Sequence, residues 1–152
     1  MITTKYPAQN AGRPPETDRL FAAFEPLLTT APTAPSVAAV ANALGTELVV
    51  LRDLQADGKT YGGDNREAGW TVEYFINPTG RFNLDVKLGR SSDAAAPHAQ
   101  IAHWQALLAE LGWNKMPSIS HPMRMETFVK DSWECRLEHD GIEVSRVALL
   151  NI

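Results

Sequence analysis

The sequence predicts an α+β domain: a mainly antiparallel sheet of five to six strands, built around two hairpins, with helices packed on one face. Three observations point there. Residues 69–89, GWTVEYFINPTGRFNLDVKLG, read as one hairpin; Asp140-Gly141 marks the turn of a second; and residues 17–28, 36–44 and 97–111 repeat apolar side chains at helical spacing.

Residues 1–15 are polar and contain proline, which makes them a loose leader to a single domain over 16–152. Thr17 then opens a helix whose stripe is Leu20, Phe21, Phe24, Leu27 and Leu28, with Pro26 expected to kink or end it. After the spacer TTAPTAP, Ser36 caps a second helix carrying Val37, Val40, Ala41 and Leu44, and Gly45 stops it. Residues 48–51 are apolar without alternation, the pattern of a central strand buried on both faces. Residues 56–69, ADGKTYGGDNREAG, have the composition of a long exposed loop.

Side-chain alternation fixes the register of the first hairpin. A two-residue loop at Pro78-Thr79 would set Trp70, Val72, Tyr74 and Ile76 against Lys87, Asp85, Asn83 and Arg81. A three-residue loop sets them against Leu88, Val86, Leu84 and Phe82, which buries one continuous apolar face. Asn77, Pro78 and Gly80 also suit a type I turn followed by a bulge. That register puts Glu73 directly opposite Asp85, with Phe75 exposed beside them. Like charges facing each other across strands destabilise by about 0.2–1 kcal/mol, so this pair calls for nearby cations or a partner that supplies them.

Residues 97–111 form the third helix, with Ile101, Trp104, Leu107, Leu108 and Leu111 on one side and Gly112 after them. Met123, Met125, Thr127 and Val129 alternate as a strand. The Asp140-Gly141 turn then pairs Leu137 with Val144 and Glu138 with Glu143. If both hairpins join one sheet, Glu73, Asp85, Glu134, Glu138 and Glu143 share an acidic outer face, to which Asp57, Asp64 and Glu67 of the 56–68 loop add.

Composition limits the function. The chain has 152 residues, 44% hydrophobic and 21% charged, enough for a core without disulfide or metal. A net charge of −4 argues against sequence-independent nucleic-acid binding, which needs a basic stripe, and suits a basic partner. The N-terminal residues lack the apolar segment of a secretory signal, no run is long enough to span a bilayer, and Cys135 is the single cysteine, so a cytoplasmic location is expected.

Catalytic patterns are sparse. Cys135 and His139 share one side of a strand but stand about 13 Å apart at ~3.3 Å per residue, too far for proton transfer. His98 and His103 are separated by about 140° around a helix and cannot easily share a metal. His121 near Met123 and Met125 fits core packing better than a copper site, and Gly62-Gly63-Asp64-Asn65 lacks the spacing of a phosphate loop. Neither a GxSxG nor an HExxH sequence occurs.

No cofactor or metal is expected. The sequence reads as a non-catalytic protein-binding module, an inhibitor of immunity or antitoxin type that neutralises a basic partner through Glu73, Phe75, Asp85, Asp57, Asp64, Glu67, Glu134, Glu138 and Glu143. A secretion or folding chaperone is the first alternative. A small enzyme or ligand-binding domain, with a pocket between helices and sheet and Glu73 and Asp85 as a carboxylate pair, is the second.

Overall fold

The computed structural model describes residues 18–89, 99–117 and 124–151. Expectations that fall on the leader, His98, His121 and Met123 lie outside them. Two helices, α1 (Arg19–Leu28) and α2 (Val37–Leu44), precede four strands, β1 (Val49–Asp53), β2 (Lys59–Asn65), β3 (Trp70–Ile76) and β4 (Phe82–Leu88). A third helix, α3 (Ile101–Glu110), precedes four more, β5 (Asn114–Lys115), β6 (Met125–Lys130), β7 (Trp133–His139) and β8 (Val144–Asn151). All eight, not five or six, form one antiparallel sheet in the order β1-β2-β3-β4-β8-β7-β6-β5. The chain is thus two units, each a helical segment followed by a four-stranded meander, joined through their last strands β4 and β8.

Local chemistry sets the helix ends. Asp18 accepts a hydrogen bond from the Phe21 N–H (3.3 Å), and the Ser36 hydroxyl accepts one from Ala39 (3.0 Å), each satisfying an amide that has no partner within the helix. Pro26 does not stop α1 at once; lacking an N–H it gives up one intrahelical bond, and the helix ends two residues later at Leu28.

The β3–β4 hairpin has the register that its alternation predicts: Trp70 faces Leu88, Val72 faces Val86, Tyr74 faces Leu84 and Ile76 faces Phe82. The Asn77 N–H donates to the Arg81 carbonyl (3.0 Å), and Gly80 takes φ +89°, a conformation that other residues adopt only with strain. The inward row of this hairpin continues across Val147 and Leu149 of β8, then Trp133, Cys135 and Leu137 of β7 and Phe128 of β6, all buried. Against this row pack Leu20, Phe21, Phe24, Leu27 and Leu28 of α1, Val40 and Leu44 of α2, and Ile101, Trp104, Leu107 and Leu108 of α3. Phe21 meets Trp104 edge-on at 4.8 Å, and Phe82 meets Trp133 at 4.9 Å. Each such side chain contributes about 1.5–3 kcal/mol by leaving water. Two buried polar ties position α2 on the sheet: the Tyr74 hydroxyl donates to the Pro35 carbonyl and the Trp70 indole N–H to the Leu44 carbonyl (3.1 Å).

Three expectations are corrected. Residues 48–51 are not a central strand: β1 is the sheet's edge, and every one of its residues is exposed. Residues 56–69 are not one long loop, since Lys59–Asn65 form β2. The second hairpin does not turn on two residues. Asp140 Oδ1 accepts from the N–H groups of Ile142 (2.9 Å) and Glu143 (2.7 Å), closing a wider loop, so that Leu137 faces Val147 and Glu138 faces Arg146 instead of Glu143.

Candidate functional site at the open end of the sheet

The two sheet edges differ. Beyond β6 lies β5, only two residues long, with the Met116 N–H donating to the Thr127 carbonyl just past it. At the other edge β1 pairs, among the described residues, with β2 alone and presents Val49 (54% exposed), Val50 (52%) and Leu51 (57%), with Leu54 (45%) next to it. Branched residues in a strand ordinarily bury one face at least. Register places Val50 opposite Tyr61 and Val49 opposite Gly62, so the two valines lie on opposite faces of the sheet. The register shifts between Val50 and Arg52, which makes Leu51 the extra residue of a bulge.

The glycines of β2 let β1 and the segment just before it come close. A Cβ on Gly62 would run into the Leu51 side chain, and one on Gly63 would lie well inside contact distance of the Glu47 carbonyl oxygen. Glycine inside a strand commonly marks such an approach, and that signal was present in the sequence.

Charge concentrates around this edge. Residues 47–76 hold six carboxylates against three basic side chains, most of the chain's net −4. Glu47, Asp57, Asp64, Glu67 and Glu73 are exposed, and none has a cation within 4.0 Å among the described residues. Phe75, expected to be exposed beside Glu73, is half-buried, its ring lying over Gly58.

Elsewhere the expected carboxylates are neutralised. Arg146 of β8 lies between Asp85 and Glu138: its Nε donates to Asp85 Oδ1 (2.8 Å), one terminal nitrogen to Asp85 Oδ2 and the other to Glu138 Oε2 (3.3 Å). The hydrogen bonds to Asp85 push the Arg146 pKa up, burial works against them, and the charges of Asp85 and Glu138 with the Glu138 hydrogen bond leave the balance raised. Glu134 takes Arg136 at 3.2 Å. Glu143, expected on the outer face, is buried and bridges the backbone at Gln100. The predicted site residues therefore separate into two groups. Asp57, Asp64, Glu67 and Glu73 lie on or between β1, β2 and β3 with unmatched charge, whereas Asp85, Glu134 and Glu138 belong to ion pairs internal to the sheet.

A further polar cluster, Glu126 with Gln105, Lys115 and His139, escaped the sequence reading because its members come from four elements. Burial pushes the Glu126 carboxyl up, but hydrogen bonding from Gln105, the Lys115 charge and His139 outweigh it and hold the carboxyl below its ordinary value. The Gly141 N–H donates to His139 Nδ1 (3.0 Å), which assigns the ring proton to Nε2, 2.9 Å from Glu126. Both ring nitrogens are engaged, so this histidine holds the 140–143 loop instead of offering a base to substrate. Cys135 is fully buried, and burial pushes its thiol up to about 12, far from a nucleophilic thiolate. Cavities of about 110 and 150 Å³, one beside His139 and Glu143 and one between Arg136 and Arg146, lie among the described residues. Both are below the roughly 300 Å³ at which small-molecule sites begin.

Among the described residues no helix is long and apolar enough to cross a membrane, and no group of three or more His, Cys, Asp or Glu side chains is placed to hold a metal ion. No family model, curated protein or solved structure matches the chain.

Proposed function

We propose that the chain is a non-catalytic protein-binding module, an inhibitor of immunity or antitoxin type that neutralises a partner bearing a basic surface. The observation that supports it is the open end of the sheet: exposed Val49, Val50, Leu51 and Leu54 on the same β1–β3 end as the unmatched carboxylates Glu47, Asp57, Asp64, Glu67 and Glu73. An apolar centre within a polar rim is the anatomy of a protein interface. The rim's negative charge speeds encounter with a basic partner and discriminates against acidic ones. Arg146 and Arg136 already satisfy the carboxylates further along the sheet, which leaves the β1–β3 end as the part with charge to give. A reducing, cytoplasmic setting suits the single cysteine.

The test is capture of the tagged chain from its own host beside an Asp64→Lys/Glu73→Lys variant. Both side chains are exposed, so the variant should keep the parent's melting temperature. The expected result is a stoichiometric partner whose association with the variant is slower by about tenfold or more at low salt, the difference closing near 0.5 M salt. Equal association at low salt would remove the acidic end from the function.

A further inference from the structure

We infer that the partner completes the sheet: an extended segment of it, branched apolar at its centre with Lys or Arg at its ends, lies along β1 as a ninth strand. This rests on the binding function proposed above and specifies how the partner is held. The edge position of β1 is the first ground. Alternate residues of an edge strand direct their N–H and C=O groups away from the sheet, and among the described residues β1 has a neighbour on one side only. Side chains supply the second, since Val49 and Val50 give an added strand an apolar neighbour on each face of the sheet.

Charge selects the occupant. Glu47 just before β1 and Asp57 in the turn after it are unmatched, so basic side chains at the ends of the added segment meet carboxylates, whereas Asp53 already takes Lys59 at 3.9 Å and Arg52 within β1 calls for an uncharged or acidic neighbour. A second copy of this chain would bring two acidic ends together and is disfavoured for that reason. The Leu51 bulge interrupts regular pairing within the strand, which restricts the segment to a short one.

Two arms test this on the full chain. In the first, a blocked ten-residue peptide with Val and Thr at its centre and Lys at both ends is titrated in while amide exchange is followed, with an N-methylated version and a Val/Glu version, Glu in place of each Lys, as controls. Exchange at the outward amides of Val49–Asp53 should slow about tenfold with the Val/Lys peptide and by less than about threefold with either control. Equal protection by the N-methylated peptide, protection of a different segment, or none at about 1 mM peptide would overturn strand addition. In the second, Val49→Lys/Leu51→Lys is compared with Asp64→Lys/Glu73→Lys for binding of the captured partner. Affinity reduced by about tenfold or more in the β1 variant, its melting temperature retained, supports the strand. Loss only in the Asp64/Glu73 variant leaves the acidic surface standing and removes the strand. Loss only in the β1 variant does the reverse.

Discussion

Arg146→Met deletes a charge while keeping most of the side chain's aliphatic stem, which isolates the electrostatic part of what Arg146 does. The guanidinium holds both oxygens of Asp85 and one of Glu138, and Glu73 stands directly across from Asp85. The Arg146 side chain is 40% exposed, so each of its two ion pairs belongs in the surface range of about 0.2–1 kcal/mol. Unmasking the Glu73/Asp85 repulsion adds about 0.2–1 kcal/mol. Together these give a destabilisation of about 1–2 kcal/mol, or roughly 3–6 °C in melting temperature for a chain of this size. Urea midpoints at pH 7, in about 20 mM and about 0.5 M salt, measure it, with most of the loss confined to low salt. An Asp85→Asn change made in the Arg146→Met background should restore part of the stability, because it removes the stranded carboxylate. The four variants close a double-mutant cycle. A coupling energy between Arg146 and Asp85 of less than about 0.3 kcal/mol would refute the assignment of Arg146 as the cation that relieves this face.

Two further outcomes follow from packing and titration. Gly63→Ala forces a methyl group against the Glu47 carbonyl oxygen and the Thr46 side chain, so it should cost about 1–3 kcal/mol and speed amide exchange in Val49–Asp53 more than in β3 or β4; uniform acceleration would mean that β1 is not held by this approach. Glu126 lies below its ordinary 4.5 in the folded chain, so its contribution is complete above the unfolded-state value and disappears as pH falls through the folded one. Glu126→Gln should therefore lose less stability than the parent between about pH 6 and about pH 3, and parallel urea midpoints across that range would contradict it.

The parts of the fold legible in the sequence are those fixed by neighbours along the chain. Ser36 and Gly45 bound α2 because caps act within a few residues. The β3–β4 register follows because alternation and turn chemistry agree. The second hairpin was misread from its turn alone; alternation would have favoured Leu137 against Val147 and Cys135 against Leu149 over a register that sets Cys135 against Arg146. The position of β1 is a different matter. Apolarity in residues 48–51 reports a preference to leave water but not how many strands stand beside it, and Leu51 and Val50 stay exposed because the described residues supply no further neighbour. The same limit applies to the site. Glu73 and Asp85 were placed correctly as a pair, yet Arg146, sixty-one residues beyond Asp85, decides which of the two keeps an unmatched charge.

The unequal edges also bear on how far such a sheet can grow. With β5 reduced to two residues, the far side offers almost no template, while β1 offers a full strand with a bulge in it. Head-to-tail extension into a filament needs two competent edges on every molecule, and the described residues of this chain provide one. It can therefore expose an adhesive strand without polymerising, and any assembly through that strand ends after a single addition.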